Sequence, residues 1–339
     1  MKNLLISLLF ILVLCVGCTT STTLEDEMYT TDIFAMDTVM NITAYGPHAK
    51  EAIQASAKEV ARLERLFSTT MIDSDIAKLN KNKSQTVSAE TLELLHTSIQ
   101  LHEETNGAFN IAIFPIVKAW GFTTETHQVP SDETLAKLLP HTNVKDIILK
   151  DSSLHVSIGS NMELGLGGIV KGYTSERILN IFKEYGVTSG IVNLGGNVQV
   201  LGTKPDGSLW NVAIKDPLAT SSYLGFVSTQ DKAIITSGPY ERNFEENGNF
   251  YHHLMDPITG KPAENTLASI TIIADNGTRA DALTKLFVSG LEDAIAYCKN
   301  HKEDVDAIFV TKDKKVYLTA NLANSFTLQS EDYRIEIIY

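Results

Sequence analysis

The stretch Gly165-Leu-Gly-Gly-Ile-Val-Lys-Gly-Tyr173 is the most informative part of this chain, and two other segments complete its chemistry. It is a glycine-rich turn whose lysine enters a predicted helix. Tyr251-His-His-Leu-Met-Asp-Pro-Ile-Thr-Gly260 sets histidine and aspartate beside a proline turn, and Ala280-Asp-Ala-Leu-Thr284 sets a carboxylate and a hydroxyl one helical turn apart. Backbone N–H groups, a cation, a titratable ring and oxygen ligands are what a phosphate ester and its divalent metal need.

On its residues alone, the glycine-rich turn has two interpretations. It is not a dinucleotide-binding fingerprint, because Val170 stands where the last glycine of G-x-G-x-x-G belongs. It is not a Walker A loop either, because Lys171 precedes Gly172 and no Ser or Thr directly follows the lysine. Glycines let the backbone approach a ligand, and a helix beginning near Lys171 offers free N–H groups. A tight structural turn is nevertheless the favoured interpretation of this segment by itself.

Structural interpretations also exist for other conspicuous residues. Thr278-Arg-Ala-Asp281 has the form of a capping box ahead of an apolar run, so helix propensity alone makes Asp281 a cap. Asp256 is expected to organise the turn that contains Pro257. Cys298 lies in an apolar helical pattern, which predicts a buried thiol rather than a nucleophile.

The composition indicates a globular protein with a substantial core. The chain has 339 residues, of which 43% are hydrophobic and 20% charged, and neither an internal repeat nor a low-complexity linker divides it. Its formal net charge of −13 argues against a duplex nucleic-acid binder, which normally carries a basic stripe. An anionic dinucleotide would therefore need local countercharge from lysine or from a metal.

The N-terminus has the pattern of a processing segment. Residues 4–16 are apolar except for Ser7, and this run is too short to span a membrane. It ends in Cys15-Val-Gly-Cys18, which resembles a bacterial lipobox. We therefore expect a lipoprotein signal peptide at residues 1–17, lipidation of Cys18, a polar tether at 18–31 and the folded domain at 32–339. The alternatives, an ordinary cleaved signal or an uncleaved anchor, also export the domain.

Hydrophobic periodicity predicts helices and strands that alternate irregularly. Helices are predicted for residues 50–67, for a segment capped by Ser88 and ended by Gly107, and for 171–185 and 279–299. Strands are predicted for residues 35–45, 191–194, 198–201, 210–215, 233–236, 268–274, 307–310 and 316–319. Because strict βαβ alternation is missing, we expect an α+β fold, a single large domain with mixed or largely antiparallel sheets and packed helices.

The order and wording of these motifs closely resemble the ApbE family of FAD:protein FMN transferases. The glycine-rich turn resembles the family signature D-L-G-G-I-A-K-G-Y, with Gly165 in place of the aspartate and Val170 in place of the alanine. The histidine segment resembles H-H-I-L-D-P-x-T-G-x-P through Pro262. Matches to N-L-G-G at 193–196 and S-G-x-Y-x-R at 237–242 extend a resemblance that runs in unbroken order from residue 36 to 290.

The resemblance implies a flavin site. The residues at flavin-contacting positions of the family are Met36, Ala108, Phe109, Asn110, Lys171 and His253. Asn110 replaces a common aspartate. His253, rather than His252, aligns with the family's histidine near the flavin phosphate, where an imidazole is suited to accept a proton from an attacking hydroxyl. In an extended segment the two neighbouring rings point to opposite faces, so only one of them can face the phosphate.

The resemblance also implies a Mg²⁺ site made by the carbonyl of Gly168 and the side chains of Asp281 and Thr284. In the family segment A-D-A-L-S-T-A-L-F the threonine follows the aspartate by four residues, whereas Thr284 follows Asp281 by three. Both spacings keep the pair on one helix face. The alternative is that Lys285 occupies the register of the family's threonine, where it cannot bind a cation.

The function that the resemblance implies is transfer of FMN from FAD, with Mg²⁺, to a threonine hydroxyl of an exported acceptor, with release of AMP. The acceptor is expected to be an electron-transfer flavoprotein, and the enzyme to be lipid-anchored in the cell membrane, on the outer face of the cytoplasmic membrane or the periplasmic side. Two alternatives remain open: an FAD pyrophosphatase, in which water replaces threonine, and a non-catalytic lipoprotein that binds FAD.

Overall fold

The computed structural model describes residues 27–124 and 126–339, and all structural statements below concern those residues. The strands are β1 Met28–Ala35, β2 Thr38–Tyr45, β3 Ser84–Thr86, β4 Ile148–Lys150, β5 His155–Ser157, β6 Ser189–Leu194, β7 Asn197–Leu201, β8 Trp210–Lys215, β9 Tyr223–Thr229, β10 Ala233–Ser237, β11 Asn243–Glu246, β12 Asn249–His252, β13 Leu267–Ala274, β14 Val305–Thr311, β15 Lys315–Thr319, β16 Phe326–Leu328 and β17 Arg334–Ile338. The α-helices are α1 Ala49–Phe67, α2 Asp75–Asn82, α3 Ala89–Glu104, α4 Phe114–Ala119, α5 Asp132–Leu138, α6 Val170–Glu184, α7 Gly277–Leu283 and α8 Leu291–Asn300. Short 3₁₀ helices lie at Ile111–Ile113, Leu139–His141, Val144–Asp146, Asp151–Ser153, Thr284–Ser289 and Ala320–Leu322.

A nine-stranded sheet organises the molecule. Its strand order is β1-β2-β6-β7-β10-β13-β14-β15-β17. Neighbouring strands are antiparallel except for the last pair, in which β15 and β17 are parallel. Three smaller antiparallel sheets complete the fold, in the orders β16-β9-β8, β3-β5-β4 and β11-β12. The expected α+β architecture with largely antiparallel sheets is therefore confirmed.

The two faces of the large sheet pack against different layers, as the alternation of side chains along a strand requires. In β10, Ile235 belongs to the largest hydrophobic cluster, which the helices cover. Its neighbour Ile234 belongs to a second cluster on the opposite face, shared with Trp210 of β8 and Phe326 of β16. Central strands are thus buried on both faces, and β13 is buried along its whole length.

The N-terminal hairpin differs from the single strand predicted at 35–45. β1 pairs with β2 along its full length, from Met28 opposite Tyr45 to Ala35 opposite Thr38. The turn between them consists of Met36 and Asp37, both left-handed, with φ of 49° and 59°. The predicted tether therefore ends too late, because residues 28–31 already pair in the sheet. The signal peptide, Cys18 and the rest of the tether, up to residue 26, lie outside the described residues.

The single helix predicted at 279–299 is also wrong. The segment contains α7, the 3₁₀ helix Thr284–Ser289 that directly follows it, and α8. Gly290 separates the 3₁₀ helix from α8, because its φ of 83° and ψ of 174° lie outside the helical region. The apolar periodicity continues across the break, which is why the sequence pattern did not reveal it. Helix α2, capped by Ser74, was not predicted because it is short and largely polar.

Helices α6 and α7 approach each other unusually closely because glycine stands at the contact. A Cβ atom on Gly172 would collide with the carbonyl oxygen of Gly277 and lie 2.8 Å from the Cβ of Asp281. A buried polar network supports the contact: Glu176 accepts hydrogen bonds from the amide of Gly277 and from Gln199, at 2.6 Å each. The N-termini of the two helices are thereby held together against β7.

We predict that Gly172→Ala destabilises the protein by about 3 kcal/mol, the upper part of the usual range for overpacking a core. The colliding atom belongs to the backbone and cannot rotate away. Urea unfolding followed by circular dichroism measures the change. Gly167→Ala is the matched control, because a Cβ there meets no atom within 4 Å. Equal stability of the two variants would contradict the close approach of α6 and α7.

Candidate functional site

A cleft of about 980 Å³ lies where the singled-out segments meet. This volume is at the upper end of the range of about 300–1,000 Å³ for small-molecule sites, as a dinucleotide requires. Of the residues predicted from the sequence, those that line it are Met36, Ala108, Phe109, Asn110, Gly168, Lys171, His253 and Asp281. Thr284 is fully buried beneath the cleft and is not among the lining residues.

The glycine-rich turn forms one wall of the cleft and leads directly into α6. Its position is fixed by two hydrogen bonds between Asn80 and the backbone of Leu164, at 2.7 and 2.8 Å. At Gly165, a Cβ would lie 2.5 Å from the ring of Phe114, so the aromatic ring fills the space that the family's aspartate would need. Gly165 therefore has no carboxylate with which to make the flavin contact that the resemblance assigns to that aspartate.

Helix α6 begins at the cleft without a side-chain cap of its own, because its N-cap residue is Ile169. The amide of Gly172, in the first turn, has no partner within α6 and donates instead to Oδ2 of Asp281 at 3.0 Å. Lys171, half-buried in the same turn, lines the cleft. The positive end of a helix and a lysine thus converge on one place, which is an arrangement that favours phosphate.

His253 lines the cleft, and its Nε2 has no hydrogen-bond partner among residues 27–124 and 126–339. Its Nδ1 lies 3.1 Å from the carbonyl oxygen of Arg242. Because a carbonyl can only accept, Nδ1 carries the proton in the neutral ring, and the lone pair on Nε2 remains available. This is the tautomer that a proton acceptor needs.

His252 has the opposite character. Its Nε2 donates to the carbonyl oxygen of Ala263 at 3.2 Å, and its Nδ1 accepts from the amide of Leu254 at 3.3 Å. The ring is buried, packs edge-on against Phe287 and does not line the cleft. Both nitrogens are therefore used by the fold, as expected if only one of the two neighbouring rings faces the cleft.

Desolvation keeps both imidazoles neutral in the free protein. Burial lowers the pKa of His252 to about 4 and that of His253 to about 3, and the cations of Lys285 and Arg242 also lower the pKa of His253. An anionic ligand in the cleft would act in the other direction, because a nearby negative charge favours the imidazolium. His253 is thus neutral in the ligand-free protein, and a bound polyanion would raise its pKa.

The two predicted metal ligands come together, but an ammonium group already occupies their oxygens. Nζ of Lys285 lies 2.9 Å from Oγ1 of Thr284, 3.2 Å from the carbonyl oxygen of Asp281 and 3.4 Å from its Oδ1. Burial lowers the pKa of Lys285, while the carboxylate of Asp281 raises it. In this structure it is therefore Lys285 that contacts the oxygens of Asp281 and Thr284.

Thr284 has no capacity left for a metal. Its hydroxyl donates to the carbonyl of Asp281 at 2.7 Å and accepts from Ser237 at 2.8 Å and from Lys285 at 2.9 Å. A hydroxyl offers one donor and two lone pairs, so all three are used. The assignment of Thr284 as a ligand is corrected accordingly: it is a buried link between β10 and α7.

The interpretation of Asp281 as part of a capping box is also corrected. The N-cap of α7 is Asn276, whose side chain accepts from the amide of Arg279 at 2.7 Å. Asp281 lies inside α7, 2% exposed, and satisfies an amide of α6 instead. Asp256 does organise its turn, as expected, by accepting from Ile258 and Thr259.

The remaining predicted flavin contacts line the cleft in different ways. Phe109 is 3% exposed, and its ring would lie 3.3 Å from a Cβ on Gly168. The side chain of Asn110 accepts from Ala112 and donates to the carbonyl of Thr142, so its amide already serves the fold. Met36 is held by a 2.7 Å hydrogen bond from its amide to Glu64.

Asn197 is a cleft residue that sequence reasoning missed. It is 1% exposed, it lines the cleft, and neither its Oδ1 nor its Nδ2 has a hydrogen-bond partner among the described residues. Leaving a buried amide unsatisfied costs about 1–3 kcal/mol per group, which a ligand can recover. Its position directly after the Asn193–Gly196 motif was the available signal.

Residues 27–124 and 126–339 contain neither a cluster of metal-binding side chains nor a membrane-spanning helix. No three His, Cys, Asp or Glu side chains there are grouped so that they could hold a metal ion. Within the same ranges, every helix is too short or too polar to cross a bilayer.

Sequence comparisons give one consistent result. A family model described as the ApbE family matches residues 36–309. A protein named FAD:protein FMN transferase from Klebsiella pneumoniae is 32% identical over 282 residues, covering 81% of this chain and 87% of its own. One of the same name from Treponema pallidum is 32% identical over 313 residues, covering 85% of each.

Solved structures agree with the sequence relatives. The ApbE protein of Thermotoga maritima superposes with a TM-score of 0.83 at 30% identity, covering 88% of this chain and 99% of that one. The flavin transferase ApbE of Vibrio cholerae superposes with a TM-score of 0.79 at 25% identity, again covering 88% and 99%.

Proposed function

Since this chain belongs to the ApbE family, we propose that it is an FAD:protein FMN transferase, which moves FMN from FAD to an acceptor protein. The observation that carries this assignment is His253, fixed in the tautomer with a free Nε2 in a cleft of dinucleotide size. Lys171 and the N-terminus of α6 lie in the same cleft, so the groups that bind a pyrophosphate and the group that accepts a proton are together.

The proposed acceptor is a threonine hydroxyl, and the leaving group is AMP. The hydroxyl oxygen attacks the phosphorus on the FMN side of the pyrophosphate, forming a phosphoester bond. The bond from that phosphorus to the bridging oxygen breaks, and AMP leaves with the electron pair. The hydroxyl proton passes to Nε2 of His253, whose basicity the bound pyrophosphate has raised. Lys171 offsets negative charge that builds on the phosphoryl oxygens.

The predicted Mg²⁺ does not fit the side chains assigned to it. The ligands of a magnesium ion are oxygens with free lone pairs about 2.0–2.1 Å away. The Thr284 hydroxyl is saturated, and both the carbonyl and the carboxylate of Asp281 contact the ammonium of Lys285. The proposed reaction therefore uses no metal held by these two side chains.

The location of the enzyme is part of the same proposal. The apolar run at 4–16 followed by Gly17-Cys18 supports export and lipid anchoring through Cys18. The enzyme would then act on the outer face of the cytoplasmic membrane or on the periplasmic side. Its acceptor would be an exported electron-transfer flavoprotein that carries FMN through a phosphoester.

Purified protein incubated with FAD and an acceptor domain that carries a target threonine should produce a fluorescent acceptor band that survives denaturing electrophoresis. Chromatography of the nucleotides should show AMP equimolar with attached flavin. Free FMN and AMP without a fluorescent band would instead identify an FAD pyrophosphatase. Tight FAD binding with neither product would identify a non-catalytic flavin carrier.

His253→Ala should lower the rate of transfer by about 10²–10⁴-fold, the usual effect of removing a positioned acid or base. FAD binding, followed by flavin fluorescence, should persist. His252→Ala is the matched control: it should keep most of the activity while losing stability, because it removes buried hydrogen bonds to Ala263 and Leu254. A larger loss of kcat in His252→Ala than in His253→Ala would contradict this assignment of the two rings.

Mass spectrometry of protein isolated from cell membranes should find Cys18 as the N-terminal residue, carrying lipid. Cys18→Ser should block this processing and release no lipidated form. Cys15→Ser is the control, because Cys15 is removed with the signal peptide and its substitution should leave lipidation intact. An unmodified N-terminus located beyond Cys18 would contradict the proposed anchor.

A further inference from the structure

We propose that the ammonium of Lys285 takes the place of the divalent cation at this site, so that FAD binding and FMN transfer proceed without a metal. This inference rests on the proposed function and concerns the source of positive charge at the pyrophosphate. In this chain the positive charge belongs to a side chain, that of Lys285, rather than to a bound ion.

The position of Lys285 is the first argument. Its ammonium contacts three oxygens of Asp281 and Thr284, at 2.9, 3.2 and 3.4 Å. Its Nζ would also lie 3.7 Å from a Cβ on Gly168, the third residue assigned to the cation. The ammonium therefore lies among all three residues that were predicted to surround the metal.

Competition between the two cations is the second argument. A Mg²⁺ bound to Oγ1 of Thr284 would lie about 2.0–2.1 Å from that oxygen and hence no further than about 5 Å from Nζ as it now lies. The two charges of Mg²⁺ and the single charge of Lys285 would then lie close together beside one carboxylate, that of Asp281. Desolvated like charges at this separation repel strongly, so occupancy by the lysine excludes the ion.

The ammonium also retains the capacity to act on a ligand. Charge-assisted hydrogen bonds between N–H donors and carboxylates are usually about 2.7–2.9 Å long. The contact between Lys285 and the carboxylate of Asp281 is longer, at 3.4 Å, and Lys285 lines the cleft with its side chain 19% exposed. A phosphate oxygen entering the cleft can therefore replace Asp281 as its partner. Lys171 lines the same cleft as Lys285, so both ammonium groups are available to one pyrophosphate bound there.

Charge balance is kept in the resulting reaction. FAD and the acceptor hydroxyl yield the FMN phosphoester, AMP and one proton, and the proton goes to His253 as proposed above. Lys285 forms no covalent bond and transfers no proton. It stabilises the charge on the phosphoryl oxygens while the bond to the bridging oxygen breaks.

The test compares the wild type with Lys285→Thr and Lys285→Met, each in EDTA and in millimolar MgCl₂. We expect wild-type FMN transfer and FAD affinity to be the same in both conditions. Lys285→Met should lose metal-free transfer by about 10²-fold, as expected for removing one preorganised electrostatic stabiliser. Lys285→Thr restores the family's oxygen ligand, so Mg²⁺ should raise its transfer by roughly tenfold or more over EDTA.

A binding measurement accompanies the activity assay. Isothermal calorimetry with MgCl₂ should detect binding to the FAD complex of Lys285→Thr and none to that of the wild type. Lys299→Met is the control for loss of a lysine, because Lys299 is an exposed residue of α8 outside the cleft. If Lys285 only packed against Asp281, the transfer activity of Lys285→Thr would not depend on Mg²⁺.

Several outcomes would overturn the inference. If EDTA abolishes wild-type transfer and MgCl₂ restores it, the metal-free proposal fails while the transferase assignment stands. Full metal-free activity of folded Lys285→Met would show that another group supplies the charge. If no protein labels the acceptor in either condition, the proposed function fails, and the role of Lys285 fails with it. The wild-type comparison decides the matter even if both variants misfold.

Discussion

The contact between the first turns of α6 and α7 is the constraint on which the site depends. Gly172 allows the two backbones to touch, and the carboxylate of Asp281 accepts the amide of Gly172 at 3.0 Å. A single buried carboxylate thereby caps one helix from within another. This contact brings Lys171, at the start of α6, into the cleft that Lys285 enters from the end of α7. A larger residue at position 172 would separate the two cations.

The cleft contains cations although the chain as a whole is acidic. The protein carries a net charge of −13, and five carboxylates line the cleft, but Lys171, Arg242 and Lys285 line it too. Loss of hydration, together with the charges of Lys285 and Arg242, keeps His253 neutral until an anion binds. The local countercharge that the composition demanded for a dinucleotide is therefore built from side chains. Asn197 adds an amide in the same cleft that has no partner among the described residues and that a ligand could satisfy.

Periodicity predicted much of the fold because it reports burial. Strand β8 has the predicted bounds, and α1 and α6 begin within one residue of theirs. One error occurs where burial continues but the backbone changes direction. Gly290 interrupts an apolar pattern that is typical of one helix. Strand β1 was missed for another reason: it is an edge strand with mostly exposed or half-buried side chains, and part of it has the polar composition of a tether.

The sequence by itself determined the α+β class, the family and the residues that meet in the cleft, because these follow from local patterns and motif order. From the family register it selected His253 over His252, and it favoured Thr284 as the metal ligand with Lys285 as the alternative. Only the tertiary structure showed that Lys285 contacts the oxygens assigned to the metal, which imidazole nitrogens the fold uses, and which helix Asp281 caps. Those answers depend on the partners Arg242, Ala263 and Gly172, which are near in space through the packing of the fold. Sequence spacing does not specify hydrogen-bond partners. The tertiary structure supplies them, and they show a lysine ammonium at the site where a metal ion was predicted.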